Sequence, residues 1–355
     1  MAQPKIDKEK AEAFVGRLID IYAGGSVALM IDVGYRTGLL EAAAKGPGTS
    51  QELAERAGLS ERHVREWLGA MVTGGVFTYD AASKMYTLPP EHAVALTGRG
   101  TSNLAPFSQF VGLLGRHVQA VTETFKNGGG VPYSVFRPEF TTVMDAGSRL
   151  RFDEILVDGY LAASPEIKEK LQRGVSVADI GCGTGHSANV MAKAFPRSTF
   201  VGYDIAEDAL AAARVEAEQM GITNASFENR DVAGMPTEQR FDLITVFDAI
   251  HDQAEPDAVL RGVCNALQDD GTFLMIDIHA SSNLEENMDI RLAPFMYTVS
   301  AMHCMQVSLA ENGAGLGAMW GEQLARQMLN DAGFGRVDVS RVDGDPLNNV
   351  YVCRK

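Results

Sequence analysis

The chain has 355 residues, of which 46% are hydrophobic and 22% are charged. These values indicate a soluble globular protein with enough chain for two packed domains. The formal net charge is -15, and an acidic surface repels nucleic-acid backbones and anionic lipids. A nucleic-acid or membrane partner is therefore not expected unless the chain presents a local basic face.

Targeting signals and cysteines point to the cytoplasm. Residues 1–14 are charged from the start and lack the apolar run of a secretion signal. No later stretch reaches the uninterrupted apolar length that a membrane span needs. The cysteines are spaced without a C-x-x-C pair, so they indicate neither a zinc site nor a disulfide framework; they are Cys182, Cys264, Cys304 and Cys353.

Residues 1–97 are predicted to form a winged-helix domain. The segment 49–77 has the apolar spacing of two helices separated by Gly58, which is a helix-turn-helix pattern. Ser50 and Ser60 stand where the N-caps of these helices are expected. Residues 76–88 then alternate like two short strands around a turn at 80–84, as in the wing.

Residues 98–174 are predicted to be a helical connector that packs over the neighbouring site. The segments 107–125 and 140–161 are apolar and helical in pattern. Between them lies GGGVP at 128–132, which predicts a break or a tight turn.

Residues 175–355 alternate between strands and helices. Strands are predicted at 175–180, 198–204, 225–231, 241–248 and 272–278, and helices at 188–195, 206–220 and 256–267. Such alternation predicts a doubly wound, Rossmann-like parallel sheet that is covered on both faces, an α/β fold beside the mostly helical N-terminal domain.

The first strand of this region runs into a helix through DIGCGTG at 179–185. Glycines are needed where the backbone turns sharply or where a ligand approaches the main chain. Dinucleotide-binding enzymes use a similar loop, but the third glycine of their fingerprint would fall at His186. No basic side chain for a 2′-phosphate is evident next to Asp204 either.

The next three predicted strands end in polar residues. Asp204 could accept both ribose hydroxyls, or it could cap the following helix. Asp231 could accept from an adenine amino group beside Val232, or it could be a turn aspartate. The fourth strand breaks into Asp248, His251 and Asp252. Carboxyl ends of strands in such a sheet face the ligand crevice.

These motifs resemble those of the class I S-adenosylmethionine-dependent methyltransferases. The matching segments are DIGCGTG, YD, RDV, FDLITVFDAIHD and LQDDGTFLMIDI. Residues 39–77 resemble the dimerisation domain of small-molecule O-methyltransferases, and the overall plan is similar to that of bacterial methyltransferases of unassigned substrate. The resemblance implies a cytoplasmic homodimer that binds S-adenosyl-L-methionine through Asp179, Gly181, Gly183, Gly185, Asp204, Ile205, Asp231, Val232, Phe247 and Asp248.

The resemblance also implies a catalytic residue. In the similar O-methyltransferases, a His-Asp pair after the fourth strand supplies the catalytic histidine, which corresponds to His251. Histidine titrates near neutral pH and can take a proton from an oxygen nucleophile. The usual tryptophan after the pair is Gln253 in this chain. The alternative is a structural histidine that is hydrogen-bonded to a neighbouring loop.

Substrate contacts are predicted after the fifth strand. Asp277 and His279 lie two residues apart and so face the same side. With Asp248 and Asp252 they could hold a divalent cation, but the resembled enzymes use none, and no metal is expected. The Met-rich segment 291–323 could line an apolar pocket or form a core or dimer helix. The predicted substrate contacts are His279, Phe295, Met296, Met302 and Trp320.

The helix predicted at 61–71 carries two arginines and two glutamates, with no surplus of positive charge for DNA. The chain is therefore expected to be an S-adenosylmethionine-dependent methyltransferase for a small, hydrophobic acceptor, with O-methylation favoured. The first alternative is a non-catalytic winged-helix regulator that senses the cofactor. The second alternative is an enzyme that uses the same cofactor for other chemistry.

Overall fold

The computed structural model describes residues 6–235 and 240–355. The sequence analysis expected no secretion signal in residues 1–14, and the first five of these lie outside the described residues. The chain divides into two compact units, Met1–Leu113 and Leu114–Lys355. This boundary falls inside the segment 98–174, so that residues 98–113 belong to the first unit and 114–174 to the second.

The first unit is a winged helix preceded by a long helix. Its strands β1 and β2 pair antiparallel as the wing, and the helix-turn-helix and wing predicted from the sequence are confirmed. The elements are α1 (Lys8–Arg36), α2 (Leu39–Ala44), α3 (Ser50–Ala57), α4 (Glu61–Thr73), β1 (Thr78–Asp80), β2 (Met85–Thr87) and α5 (Pro90–Leu96). The helix α6 (Gln109–Asn127) begins at the end of this unit.

The turn between α3 and α4 forms where Gly58 predicts it, but the N-cap of α3 is not the predicted serine. Gly58 ends α3 with a φ of 68°, a left-handed conformation that glycine adopts without strain. Thr49, not Ser50, caps α3, because Thr49 and Glu52 form a reciprocal capping box. Ser60 occupies the N-cap position of α4 but makes no side-chain hydrogen bond to the helix backbone.

The helix α1 carries an apolar surface that the described residues leave uncovered. It is long and apolar enough to cross a membrane by length and composition, with a mean hydropathy of 1.5 over its most apolar window. The sequence analysis expected no uninterrupted apolar run of spanning length, and in α1 charged residues such as Arg17, Asp20 and Asp32 interrupt the apolar ones. The exposed large side chains of α1 are Phe14, Val15, Ile19, Ile21, Tyr22, Leu29 and Val33.

The second unit is a seven-stranded sheet with helices on both faces. Its strands are β3 (Ser176–Ile180), β4 (Thr199–Asp204), β5 (Ala225–Asn229), β6 (Phe241–Phe247), β7 (Leu267–Ile278), β8 (Arg336–Ser340) and β9 (Asn348–Arg354). Its helices are α7 (Tyr133–Phe136), α8 (Glu139–Ile155), α9 (Pro165–Arg173), α10 (His186–Ala194), α11 (Glu207–Met220), α12 (Pro256–Ala266), α13 (Leu284–Asn287), α14 (Ala293–Val299), α15 (Met305–Ala310) and α16 (Gly321–Asp331).

The strand order is β5-β4-β3-β6-β7-β9-β8. The five predicted strands are confirmed and pair in parallel. The expectation of a wholly parallel sheet was wrong, because β9 runs antiparallel to both β7 and β8. The connection between β8 and β9 is too short for a crossover helix, so the chain must reverse direction.

The order of the strands places a crevice at the carboxyl ends of β3 and β6. The chain moves outward from β3 through β4 to β5, and it then returns to the other side of β3 to form β6. A crevice opens at the carboxyl edge of such a sheet where the strand order reverses. Apolar clusters on both faces of the sheet, anchored for example by Phe273 and Leu274, hold this edge rigid.

Candidate functional site

A cavity of about 600 Å³ lies at the carboxyl edge of the sheet in the second unit. It is lined by the glycine loop, by the ends of β4 and β6, by the segment after β5 and by α8. Eight of the ten predicted cofactor residues line it, namely Gly181, Gly183, Asp204, Ile205, Asp231, Val232, Phe247 and Asp248.

The glycine loop and Asp204 form one cradle. The Gly183 N–H donates to Asp204 Oδ2 at 2.8 Å, and the Ala206 N–H donates to Oδ1 at 2.8 Å. Gly183 has a φ of 53°, and a Cβ added there would meet no atom within 4 Å. The space beside the loop is therefore open to a ligand, and the backbone bonds hold a carboxylate at its edge. Burial raises the pKa of Asp204.

The residues after β5 form the next part of the wall. Asp231 Oδ1 accepts the Ala233 N–H at 2.9 Å, so the carboxylate caps its own turn while it faces the cavity. Val232 is buried beside it. The turn and ligand interpretations of Asp231 are thus compatible.

Two predicted cofactor residues, Asp179 and Gly185, lie behind the loop and do not line the cavity. The buried Asp179 carboxylate accepts from Ser187 Oγ at 2.5 Å and from Thr245 Oγ1 at 2.7 Å, which ties β3 to α10 and β6. Burial raises its pKa to about 6. A Cβ at Gly185 would lie 2.5 Å from Ala213 Cβ, so this glycine permits close packing of α11.

Asp248 follows β6 and has an unusual environment. Its φ is 52°, and its Oδ2 accepts from Arg151 Nη2 at 3.1 Å. Its Oδ1 is buried and has no hydrogen-bond partner among the described residues. Burial raises the pKa of Asp248 to about 6, although the Arg151 charge opposes this shift. The sequence analysis did not identify Arg151, because nothing in the local pattern of α8 relates it to a strand end.

His251 is buried at the carboxyl end of the sheet. Its Nδ1 lies 2.7 Å from Asp277 Oδ1, which also accepts from the Ile278 N–H and from Trp320 Nε1. Its Nε2 lies 3.4 Å from Asp252 Oδ1. Burial alone would lower the pKa of His251, but the charges of Asp277 and Asp252 outweigh it and raise the pKa well above the ordinary value.

Asp252, rather than His251, lines the cavity. The thiol of Cys304 lies on the other side of the pair, and burial raises its pKa to about 12. Donor atoms of His251, Asp252 and Cys304 lie within 4.8 Å of one another in the described chain. This cluster differs from the group of Asp248, Asp252, Asp277 and His279 that the sequence analysis considered for a cation, where no metal was expected.

None of the five predicted substrate contacts lines the cavity in the part of the chain described. His279 Nδ1 pairs with Asn349 Oδ1 at 2.9 Å. Trp320 belongs to the hydrophobic core, where its indole N–H donates to Asp277. Phe295 and Met296 lie on α14, and Met302 lies in the turn that follows it. The five predicted contacts thus lie away from the cavity, although two other residues of the segment 291–323, Val307 and Glu311, line it.

Residues of α7 and α8, rather than the predicted substrate contacts, form much of the remaining cavity wall. The helical pattern of 140–161 predicts this packing over the site, but no local signal identifies its individual side chains. These lining residues are Tyr133, Phe140, Thr141, Met144, Asp145, Ser148 and Phe152.

A polar network holds α8 over the loop. Thr184 Oγ1 donates to Asp145 Oδ1 at 2.6 Å, and Arg149 pairs with both Asp145 and Glu216. His186 lies 3.1 Å from Glu216 and 3.0 Å from the carboxylate of Asp153. The residue that distinguishes this loop from a dinucleotide fingerprint thus anchors the helix that covers the cavity.

Comparison with known proteins agrees with this geometry. Residues 149–333, just over half of the chain, match the family described as "Methyltransferase domain". Residues 25–98 match the "Rv2258c-like winged HTH domain".

Two curated relatives each match part of the chain. An uncharacterized methyltransferase of Bacillus subtilis is 30% identical over 105 residues, which are 29% of this chain and 41% of the relative. An uncharacterized methyltransferase of Synechocystis is 28% identical over 142 residues, which are 39% of this chain and 60% of the relative. The chain thus spans about two fifths to three fifths of the length of these curated relatives.

Solved structures match over the whole chain. A putative O-methyltransferase from Nostoc punctiforme superposes with a TM-score of 0.72 at 17% identity, covering 99% of this chain and 100% of that one. Mitomycin 7-O-methyltransferase superposes with a TM-score of 0.70 at 20% identity, covering 98% and 100%. Human N-acetylserotonin methyltransferase superposes with a TM-score of 0.69 at 15% identity, covering 100% and 99%.

The fold class and the family resemblance predicted from the glycine loop and the strand-end aspartates are therefore confirmed. The chain belongs to the methyltransferase-domain family and carries, ahead of that domain, a winged helix-turn-helix domain.

Proposed function

We propose that this chain is an enzyme that transfers a methyl group from S-adenosyl-L-methionine to a small, hydrophobic acceptor, with oxygen as the favoured acceptor atom. S-adenosylmethionine is the methyl donor of this fold family. The observation that carries the proposal is the open space beside Gly183 with the Asp204 carboxylate fixed at its edge. The names of two structural neighbours, a mitomycin 7-O-methyltransferase and a putative O-methyltransferase, favour oxygen.

The residues of the cavity fit such a donor. Each oxygen of Asp204 accepts one backbone N–H and keeps a lone pair for a ribose hydroxyl. Asp231 and Val232 offer a carboxylate and an apolar surface for adenine. When bound, the donor supplies an electrophilic methyl group on a sulfonium. The chain's part is to orient the acceptor in line with that group and to exclude water, which α8 does by covering the loop.

The acceptor side of the cavity supports a hydrophobic substrate. Tyr133, Phe140 and Met144 from α7 and α8 line it together with Val307. Apolar and aromatic walls with a few polar groups are typical of small-molecule pockets. Asp252 is the polar group nearest the buried histidine on this wall.

Changing Asp204 to Ala should weaken binding of S-adenosylhomocysteine, the demethylated cofactor, at least tenfold, because hydrogen bonds to a charged group contribute about 1.5–3 kcal/mol each. Isothermal titration calorimetry measures this. Wild type should bind with micromolar affinity. An Asp257→Asn control, on an exposed residue of α12 outside the cavity, should leave binding unchanged. Binding of NADH without binding of the methyl-donor product would contradict the proposal.

His251 is proposed as the proton acceptor of the reaction, working through Asp252. In the neutral imidazole, Nδ1–H donates to Asp277, and the Nε2 lone pair is left on the side of Asp252. The acceptor hydroxyl would give its proton to Asp252 at the cavity wall, and His251 would take it at Nε2. The positive charge then formed on the ring is stabilised by the fully buried Asp277.

This role predicts a pH profile. Because the two carboxylates raise the pKa of His251, the neutral form that can take a proton is scarce below that raised pKa. The kcat should therefore rise with pH and level off above the ordinary histidine range. His251→Ala and Asp252→Asn should lower kcat about 10²- to 10⁴-fold while cofactor binding persists. Asp277→Asn should move the inflection to lower pH, because it removes the largest charge that raises the pKa.

A Cys304→Ser variant serves as the control for the base, since it changes a neighbouring donor without removing either member of the pair. Full activity in His251→Ala would support the structural-histidine alternative instead. Stoichiometric metal in the purified protein, measured by elemental analysis, would likewise contradict the proton-acceptor role.

We also propose that the protein is a cytoplasmic homodimer in which α1 is covered by a second copy. The support is the row of exposed large apolar side chains on α1, which an isolated soluble chain rarely leaves in water.

Multi-angle light scattering should give the mass of a dimer. Phe14→Asp and Ile19→Asp, which place a charge on the apolar surface of α1, should each shift the protein toward the monomer, and Lys45→Asp, outside α1, should not. Recovery of the wild-type protein in the membrane fraction would contradict both the dimer and its location.

We propose further that the winged helix does not bind nucleic acid. Both arginines of α4 are neutralised on their own helix, Arg62 by Glu66 at 2.5 Å and Arg65 by Glu61 at 3.4 Å. Non-specific DNA affinity depends on accumulated positive charge. A gel-shift experiment at low salt should therefore detect no complex with duplex DNA, and tight binding would refute this statement.

A further inference from the structure

Asp248 lies on the cavity wall and has two energetically unfavourable features, its backbone conformation and a buried oxygen without a partner. Its φ of 52° lies in the left-handed region, which costs a non-glycine residue about 1 kcal/mol or more, although aspartate tolerates it better than most. Its side chain is only 10% exposed, yet Oδ1 has no hydrogen-bond partner in the described chain. A buried carboxylate oxygen without a partner is unfavourable. Both costs at one position point to a missing ligand group.

The position of Asp248 along the sheet edge identifies which part of a ligand it meets. The strands β5, β4, β3 and β6 lie side by side in that order, about 4.8 Å apart. Asp231 follows β5, Asp204 ends β4, and Asp248 follows β6. A ligand with adenine near Asp231 and ribose at Asp204 extends across the end of β3 toward β6. The group it presents to Asp248 lies beyond the 5′ carbon of the ribose.

The glycine loop packs directly against the residues that follow β6. A Cβ at Gly181 would lie 2.7 Å from Ala249 Cβ, so the glycine loop packs directly against the residue after Asp248. Gly181 and Asp248 both line the cavity. The glycine loop and the residues after β6 therefore form one continuous stretch of the cavity wall.

The charge around Asp248 selects a cation. Arg151 pairs with Oδ2 from the protein side, where it is 13% exposed and does not line the cavity. Burial raises the pKa of Asp248, while the charge of the Arg151 guanidinium opposes that rise and holds the carboxylate in position. The other oxygen of this carboxylate, Oδ1, has no hydrogen-bond partner among the described residues, and Asp248 lines the cavity. An ammonium group satisfies it with a charge-assisted hydrogen bond, whereas a carboxylate would be repelled.

We propose that the Asp248 carboxylate binds the α-ammonium group at the amino-acid end of the methyl donor, with Arg151 as its positioning residue. The proposal rests on the proposed function, since it names a contact for the same donor. In the order β5-β4-β3-β6, the residues after β5 and at the end of β4 would contact the adenosine, and Asp248 after β6 would contact the methionyl tail.

Calorimetry with two ligands tests this assignment. S-adenosylhomocysteine carries the amino-acid tail, and 5′-methylthioadenosine has the same adenosine and sulfur without it. Asp248→Asn keeps the size of the side chain and removes its charge. It should weaken S-adenosylhomocysteine about 10- to 100-fold, the usual worth of a hydrogen bond to a charged group, and should change 5′-methylthioadenosine less than about twofold. Retained binding of 5′-methylthioadenosine also shows that the variant is folded.

Two controls sharpen the comparison. Asp231→Asn, on the adenine side, should weaken both ligands alike. The second control uses the wild-type protein and an S-adenosylhomocysteine analogue that lacks the α-amino group. Removing this group from the ligand should weaken binding to wild type as much as Asp248→Asn weakens binding of the full ligand.

The outcomes separate the two proposals. If wild type binds S-adenosylhomocysteine and Asp248→Asn binds it equally well, or loses both ligands alike, the role of Asp248 is overturned while the proposed function stands. If wild type binds neither ligand, the proposed function fails, and this inference fails with it.

Discussion

The hydrogen bond between the Gly183 N–H and the Asp204 carboxylate joins the ends of two neighbouring strands, and the site depends on it. It fixes the glycine loop in a left-handed turn that only glycine adopts without strain. The loop then presents backbone and open space to a ligand, while Asp204 stays oriented at the edge of the same space. Asp179 supports this arrangement from behind, because it ties β3 to β6 and to the start of α10.

The helix α8 depends on the same loop. Its Asp145 accepts from Thr184, and its Arg149 pairs with Glu216 beside His186. These bonds run between a helix that precedes the sheet in the chain and the loop after the first strand of the sheet. A buried polar network of this kind is satisfied only in one geometry, so it specifies where the cover lies. The cavity is therefore enclosed by polar bonds at its rim and by aromatic side chains on its wall.

Buried charge at the ends of β6 and β7 is organised in two pairs. The His251–Asp277 pair is almost fully enclosed and is held further by Trp320 and by a backbone N–H. Asp277 Oδ1 is thus held by three contacts, whereas Asp277 Oδ2 has no hydrogen-bond partner among the described residues. The Arg151–Asp248 pair leaves one carboxylate oxygen without a partner. Burying an ion pair is favourable only when its remaining lone pairs are bonded, and of these two carboxylates Asp248 is the one that lines the cavity.

The amino-acid sequence by itself determined the winged helix, five strands of the large sheet and the order of these elements along the chain. Periodicity located the winged helix and the five parallel strands, and the glycines and strand-end aspartates predicted which edge of the sheet binds a ligand. These are local signals, because turn geometry and strand periodicity depend on neighbouring residues. The assignment of His251 as proton acceptor remains a prediction.

Only the tertiary structure decided which side chains meet. It put Gly185 and Asp179 behind the loop, Trp320 in the core and β9 antiparallel between β7 and β8. It also brought Arg151 to Asp248, 97 residues further along the chain. Such pairs depend on how helices pack across the sheet, and packing is set by the shape and volume of the whole core, which no local pattern in the sequence records.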